Sequence, residues 1–246
     1  MRMRFLLLTI ISMLALGAAA MAPAARDAVA QQAACTKTGE PSTLQGIINN
    51  AAPGDVICMA AGVYRGPVTL ESKRDITLRG SDAGRSIIAG GDRDSLLIFN
   101  SNRVVVENLT LFYGHPSNAY VWRSTDIDFR RVDAGGGALG IHFDVNSRGR
   151  ISDSFVYAME GDGILTRRGA NVTIERNWVF NNGGVGVSTV GPTANTTVIR
   201  NIISDNAGPG VFAGVTPCAL LPPGFVEVPD CYLKNLPGYV TDANVI

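Results

Sequence analysis

Two histidines occur in the 246 residues, and one of them, His142, has a carboxylate two positions on at Asp144. Residues i and i+2 of an extended strand share a face, so this pair projects together. An imidazole beside a carboxylate suits proton abstraction, with His142 as base and Asp144 as its orienter. Arg167 adds a cation that grips a carboxylate through two parallel N–H bonds. Tyr120, Trp122 and Arg123 supply aromatic faces for the C–H faces of a sugar ring and a further guanidinium. Together these residues describe a site for an acidic saccharide. Tyr120, Trp122 and Arg123 would bind, and His142, Asp144 and Arg167 would act. Elimination and epimerisation of a uronate both begin with loss of the proton α to its carboxylate, which Arg167 would neutralise. Hydrolysis would need two carboxylates flanking the bond, and Asp144 has no outward partner. The same residues also read as a surface His–Asp pair with rings covered by the Gly114–Asn118 loop. His115, beside Pro116, has no assigned role.

What must position these residues is a repeat. Asn177 maps on Asn201, Val179 on Ile203, Asn182 on Asn206 and Val187 on Val211, each at an offset of 24. Backwards, Ile174 maps on Ile151, Phe129 and Val106 at 22–23, and Gly140, Gly163, Gly186 and Gly210 recur. Each unit holds three short pieces alternating with period two, without helical periodicity. The spacing predicts coils of a right-handed parallel β-helix, an all-β solenoid. The Leu-rich pattern of the competing repeat is missing. Six or seven coils at about 4.8 Å each make a stack of roughly 30 Å. Asn177 over Asn201 would form a ladder at a turn. A longer loop is expected around Asp92–Asp94.

The outward residues of one strand per coil alternate in charge. Asp126 would meet Arg148, Asp128 would meet Arg150, and Glu107 would meet Arg130. Asp126 and Asp128 could instead hold Ca²⁺, but arginines on both sides favour ion pairs. No cofactor is required.

The ends of such a stack need caps. Ser42-Thr-Leu-Gln45 reads as a capping box, followed by Leu44, Ile47, Ile48 and Ala51 on one face of a short helix. Residues 31–55 would form this N-terminal segment and capping helix, residues 56–215 the coils, and residues 216–246 an irregular, Pro-rich cap or tail.

Residues 1–30 read as an export signal: Met1-Arg-Met-Arg4, then an apolar run from Phe5 to Ala20, then Ala28-Val29-Ala30 as a cleavage site. The run is shorter than the roughly 20 residues of a membrane span. The expected location is therefore outside the cell or in a bacterial periplasm, with no membrane attachment after cleavage. The whole chain has 21 basic and 21 acidic residues; the mature part keeps 18 and 20. That balance gives no support to nucleic-acid binding. Four cysteines in an exported chain suggest two disulfides. Cys35–Cys58 with Cys218–Cys231 is the expected pairing among three connectivities, and free buried thiols are the alternative.

Leu44-Gln-Gly-Ile-Ile-Asn-Asn-Ala-Ala-Pro-Gly-Asp-Val-Ile57, then Ala61-Gly-Val-Tyr-Arg-Gly66 and the coils, resembles the pectate-lyase-like right-handed β-helix superfamily over roughly residues 42–215. The resemblance implies the fold and an acidic, uronate-containing polysaccharide as partner. It leaves activity open among lyases, epimerases, hydrolases and non-catalytic proteins. The Arg-x-Pro-x-x-Arg motif of pectate lyases, the Asp-Pro-His-Asp motif of mannuronan epimerases and the Gly-His-Gly motif of polygalacturonases are all absent. The expected function is action on or binding of acidic polysaccharide, a lyase ahead of an epimerase or hydrolase. The alternative is a non-catalytic glycan-binding or surface and assembly protein.

Overall fold

The computed structural model describes residues 33–81, 85–191, 195–214 and 240–242. The coils all lie in the unit that begins at Ala34. The export signal and the Cys218–Cys231 pairing fall outside the described residues.

About seven parallel coils form one continuous solenoid. Each coil contributes one rung to each of three faces. The first face includes Val56–Met59, Arg74–Arg79, Arg148–Ser152, Asn171–Glu175 and Asn195–Ile199. The second includes Gly62–Arg65, Ser86–Ala89, Phe155–Tyr157, Trp178–Phe180 and Ile202–Ser204. The third includes Val68–Glu71, Leu96–Phe99, Ile164–Arg167, Val187–Val190 and Val211–Gly214. In the middle coils the strands Asn102–Trp122 and Thr125–Asp144 run through all three faces. They turn the corners at left-handed residues such as Asn108, Tyr113 and Arg131.

The alternation places Val106, Phe129, Ile151, Ile174 and Val198 in one inward column, in register and buried. Phe129 and Phe143 meet edge to face inside, 5.9 Å apart. The recurring glycines have a steric cause. A Cβ on Gly163 would lie 2.7 Å from the carbonyl oxygen of Gly186, and one on Gly140 closer still to that of Gly163.

Polar side chains seal the corners. Asn177 accepts from the Ser154 amide at 3.0 Å and donates to the Ile151 carbonyl at 2.9 Å and to Asn201 Oδ1 at 3.0 Å. Asn182 donates likewise to Asn206. Another corner is laddered by serines, Ser101 N–H to Ser124 and Ser124 N–H to Ser147. Buried backbone donors that no strand can reach are thereby satisfied.

Several details depart from the sequence reading. The longer loop around Asp92–Asp94 is present, with ten positions from Ile88 to Ile98 against six from Tyr64 to Leu70, and an unexpected second lengthening falls at the corner between Leu78 and Ile88. Leu78 pairs with Val106 and Ile88 with Leu111, so the same corner takes ten residues in one coil and five in the next. The helix spans Leu44–Asn49 and buries Leu44 and Ile48, but Thr43 is its N-cap, without a side-chain cap bond. Gln45 turns instead to the backbone of Thr69, accepting at 2.9 Å and donating at 3.0 Å. A strand, Lys37–Gly39, precedes the helix and is tied to the next rung by the Cys35–Cys58 disulfide. In the C-terminal region read as irregular, Val240–Asp242 pairs in parallel with Asn195–Ile199.

Candidate functional site

The third face carries the predicted residues in two outward columns. Leu97, Tyr120, His142 and Leu165 form one, and Phe99, Trp122 and Asp144 the other, with Arg167 following Thr166, the partner of Phe143. The register thus sets Tyr120 beside His142 and Trp122 beside Asp144. Tyr120 and His142 ring centroids are 4.9 Å apart. Phe99 meets both Tyr120 and Trp122 edge-on, at 5.9 and 6.0 Å. The Arg123 guanidinium lies 4.2 Å from the Trp122 ring centre, a cation–π contact. A hollow of about 300 Å³ beside these rings is lined by Glu71, Phe99, Asn100, Tyr120 and Trp122.

Asp144 lies at the centre and is fully buried. Its two oxygens accept from Arg168 Nε at 2.6 Å and from Arg168 Nη2, from the Tyr120 hydroxyl at 3.1 Å and from the Val145 amide at 2.9 Å. Arg167 Nε is 3.7 Å away. Burial opposes ionisation of Asp144, but the Arg168 hydrogen bonds and the nearby positive charges outweigh it and hold its carboxyl below the usual range. Burial, reinforced by Asp144, pushes the Tyr120 hydroxyl up to about 12, so it stays a donor.

His142 is 7 % exposed. Burial lowers its pKa to about 4; Asp144 opposes that shift, and Arg167 and Arg168 add to it. The ring is therefore neutral at pH 7. Its Nε2 is 3.7 Å from Asp144 Oδ2 and has no hydrogen-bond partner among the described residues. The expected orientation of His142 by Asp144 is thus not a hydrogen bond, because stronger donors already hold that carboxylate. At neutral pH the cluster carries two guanidiniums against one carboxylate, an excess of one positive charge.

Phe99 and Glu71 belong to the site although they were not among its predicted residues, and Arg168, which the spacing placed at the adjacent turn with Arg123 but without a role, is the main partner of Asp144. The 28-residue step from Leu70 to Ile98 concealed Phe99 and Glu71. Arg168 has a left-handed backbone at the corner, from which it reaches back a coil to Asp144.

On the first face, Glu107 does pair with Arg130, at 2.7 Å, and also with Arg79 and Arg131. The other two expected pairs do not form. Arg150 turns to Glu175, Asp126 accepts from Asn102 at 3.1 Å, and Asp128 is 3.9 Å from Arg130. Among the described residues no three His, Cys, Asp or Glu side chains gather as a metal site. Nor is any described helix long and apolar enough to cross a membrane.

A family model described as a right handed beta helix region matches residues 76–235. No curated protein matches the chain. Among solved structures, the chain is similar to pectate lyase Pel9A, with 12% identity, a TM-score of 0.55, and 87% of this chain and 78% of that one covered. It is also similar to an alginate lyase from Paenibacillus sp. str. FPU-7, with 16% identity, a TM-score of 0.51, and 68% and 76% covered. At these identities the likeness is one of fold.

Proposed function

The chain belongs to the right-handed β-helix family, and from that premise we propose that it is an exported protein whose third face binds acidic, uronate-containing polysaccharide. One observation carries the reading: Phe99, Tyr120 and Trp122 form a contiguous aromatic platform with Arg123, Arg167 and Arg168 around it. Rings of this kind take the C–H faces of sugars, and the excess positive charge favours a uronate carboxylate. The names of the two similar structures, lyases for pectate and alginate, support the same substrate class; fold-level analogy is not by itself function.

A second reading, β-elimination at this face, is favoured by the neutral His142, whose Nε2 has no hydrogen-bond partner among the described residues. His142 would take the proton α to the carboxylate, a C=C bond would form, the bond to the leaving oxygen would break, and solvent would protonate that oxygen. Arg167 would stabilise the developing negative charge. The burial of His142 weighs against open access and places binding first.

Incubation with pectate, alginate and glycosaminoglycans, with and without Ca²⁺, separates the readings. Binding alone gives retarded migration in a gel containing the polysaccharide. Elimination adds ultraviolet absorbance from the unsaturated uronate. Unchanged migration in every polysaccharide would refute the proposal. Dependence on added Ca²⁺ would bring the Asp126–Asp128 pair back as a cation site.

A further inference from the structure

A second aromatic strip stands on another face. On the second face Phe155, Trp178 and Ile202 occupy successive rungs of one outward column. They are 44, 42 and 49 % exposed. The neighbouring column carries Tyr157 and Phe180, stacked at 5.4 Å with their planes 15° apart, and Trp178 is 4.6 Å from Phe180. The core does not require these rings, since Val156, Val179 and Ile203 between them fill the interior. Contiguous exposed apolar surface of this kind marks a binding face.

A hollow of about 410 Å³ runs beside the strip, lined among others by Phe155, Trp178, Ile202, Arg176 and Arg200. Arg176 is engaged by Asp153 at 2.7 and 2.8 Å. Arg200, one coil further along the same corner, is exposed and has no acidic partner among the described residues. The strip is therefore apolar between two charges among the described residues, the half-buried Asp133 on the rung before Phe155 and the exposed Arg200 at the rim of the far rung.

We infer that this strip is a second saccharide-binding site, taking a short run of acidic pyranose residues with Phe155 and Trp178 under the sugar faces and Arg200 on a carboxylate. Size selects a saccharide, and Arg200 beside Ile202, at the end away from Asp133, sets where its carboxylate lies. The exposed parts of the rings offer on the order of 300 Å², well short of the roughly 800 Å² per partner of a stable protein interface. Three rungs span about 10 Å, the length of a disaccharide. The site shares no residue with the third-face platform.

The chain has two tryptophans, Trp122 and Trp178, one on each strip. The variant W122F leaves Trp178 as sole reporter, and W178F leaves Trp122. Titration of the W122F chain with oligogalacturonate should give a saturable change in emission. Adding Arg200→Ala should weaken it roughly tenfold, the loss of one charge-assisted hydrogen bond. A silent Trp178 beside a responsive Trp122 in W178F would overturn the second site and leave the first standing. Emission that changes with protein concentration alone would make a second copy the occupant and overturn the inference. An equal response to a neutral glucose oligomer, insensitive to Arg200→Ala, would overturn the acidic specificity. Silence of both reporters would overturn both sites.

Discussion

Replacing His142 by leucine should make the protein more resistant to acid. In the fold, burial lowers the His142 pKa to about 4, against about 6.5 in an unfolded chain. As pH falls through 6.5 the unfolded state takes up a proton that the native state refuses, so stability falls with pH. The loss begins near pH 6.5, reaches about 2 kcal/mol at pH 5 and levels off at about 3 kcal/mol below pH 4. Because the ring is 7 % exposed, solvent screening takes little from these figures. Asp144 acts in a lower window: its depressed pKa adds stability above its unfolded value of 3.8, so between pH 7.5 and 5 it contributes little change. Asp94, Asp128 and Asp133, raised by burial, act in the opposite sense and cancel in a wild-type–variant difference. Leucine suits the position, which stacks against Leu165. Urea unfolding at pH 7.5 and 5.0 would measure the effect. Wild type should lose about 2 kcal/mol more than His142→Leu across that interval. Equal losses would mean that His142 is either open to solvent or paired as a cation with Asp144, and the description of the site would be wrong.

Asn177→Ala should cost about 3 kcal/mol in urea unfolding, because it strands the buried Ser154 amide and Ile151 carbonyl; a loss below about 1 kcal/mol would show that the corner relaxes or admits water. Replacing Cys35 and Cys58 together by alanine should cost about 3 kcal/mol, from the 23-residue separation that the disulfide closes, and reductant, which opens that disulfide in wild type, should largely remove the difference between the two chains. Trp122→Ala should weaken migration shifts on acidic polysaccharide about tenfold through loss of ring stacking while leaving the far-ultraviolet circular dichroism unchanged. Raising salt from 50 to 500 mM should weaken the same shifts, as screening of the Arg123, Arg167 and Arg168 charges requires.

The coils were legible because each inward residue answers to its equivalent one coil away, and that contact repeats in the chain as an offset. Ile141, Ile164, Val187 and Val211 could be aligned on this basis alone, and Tyr120 and Trp122 followed to their places beside His142 and Asp144. Corners were not legible. Arg103 and Asp126 have left-handed backbones, so the period-two rule does not aim their side chains, and the Asp126–Arg148 pair was lost there. Period two also says which side a residue faces and not how far a guanidinium reaches. Arg168 therefore took the carboxylate that had been assigned to His142. Ser42 and Gln45 matched a local capping pattern, but Thr69 offered Gln45 both a donor and an acceptor on the neighbouring rung. Burial was the other missing quantity, since a residue that points outward, as His142 does, can still be covered by its neighbours.

The corner ladders of asparagine and serine join each coil to the next and to nothing beyond it. Cohesion is therefore passed from neighbour to neighbour, and a pulling force applied at one end should peel the solenoid a coil at a time. Through the later coils each event would release 22 to 24 residues, or about 80 Å of contour at about 3.5 Å per residue. A sawtooth of that spacing in a single-molecule stretching trace would be the mechanical signature of the ladder. A protein that unravels by increments can yield under shear at one end while the faces further along keep their shape.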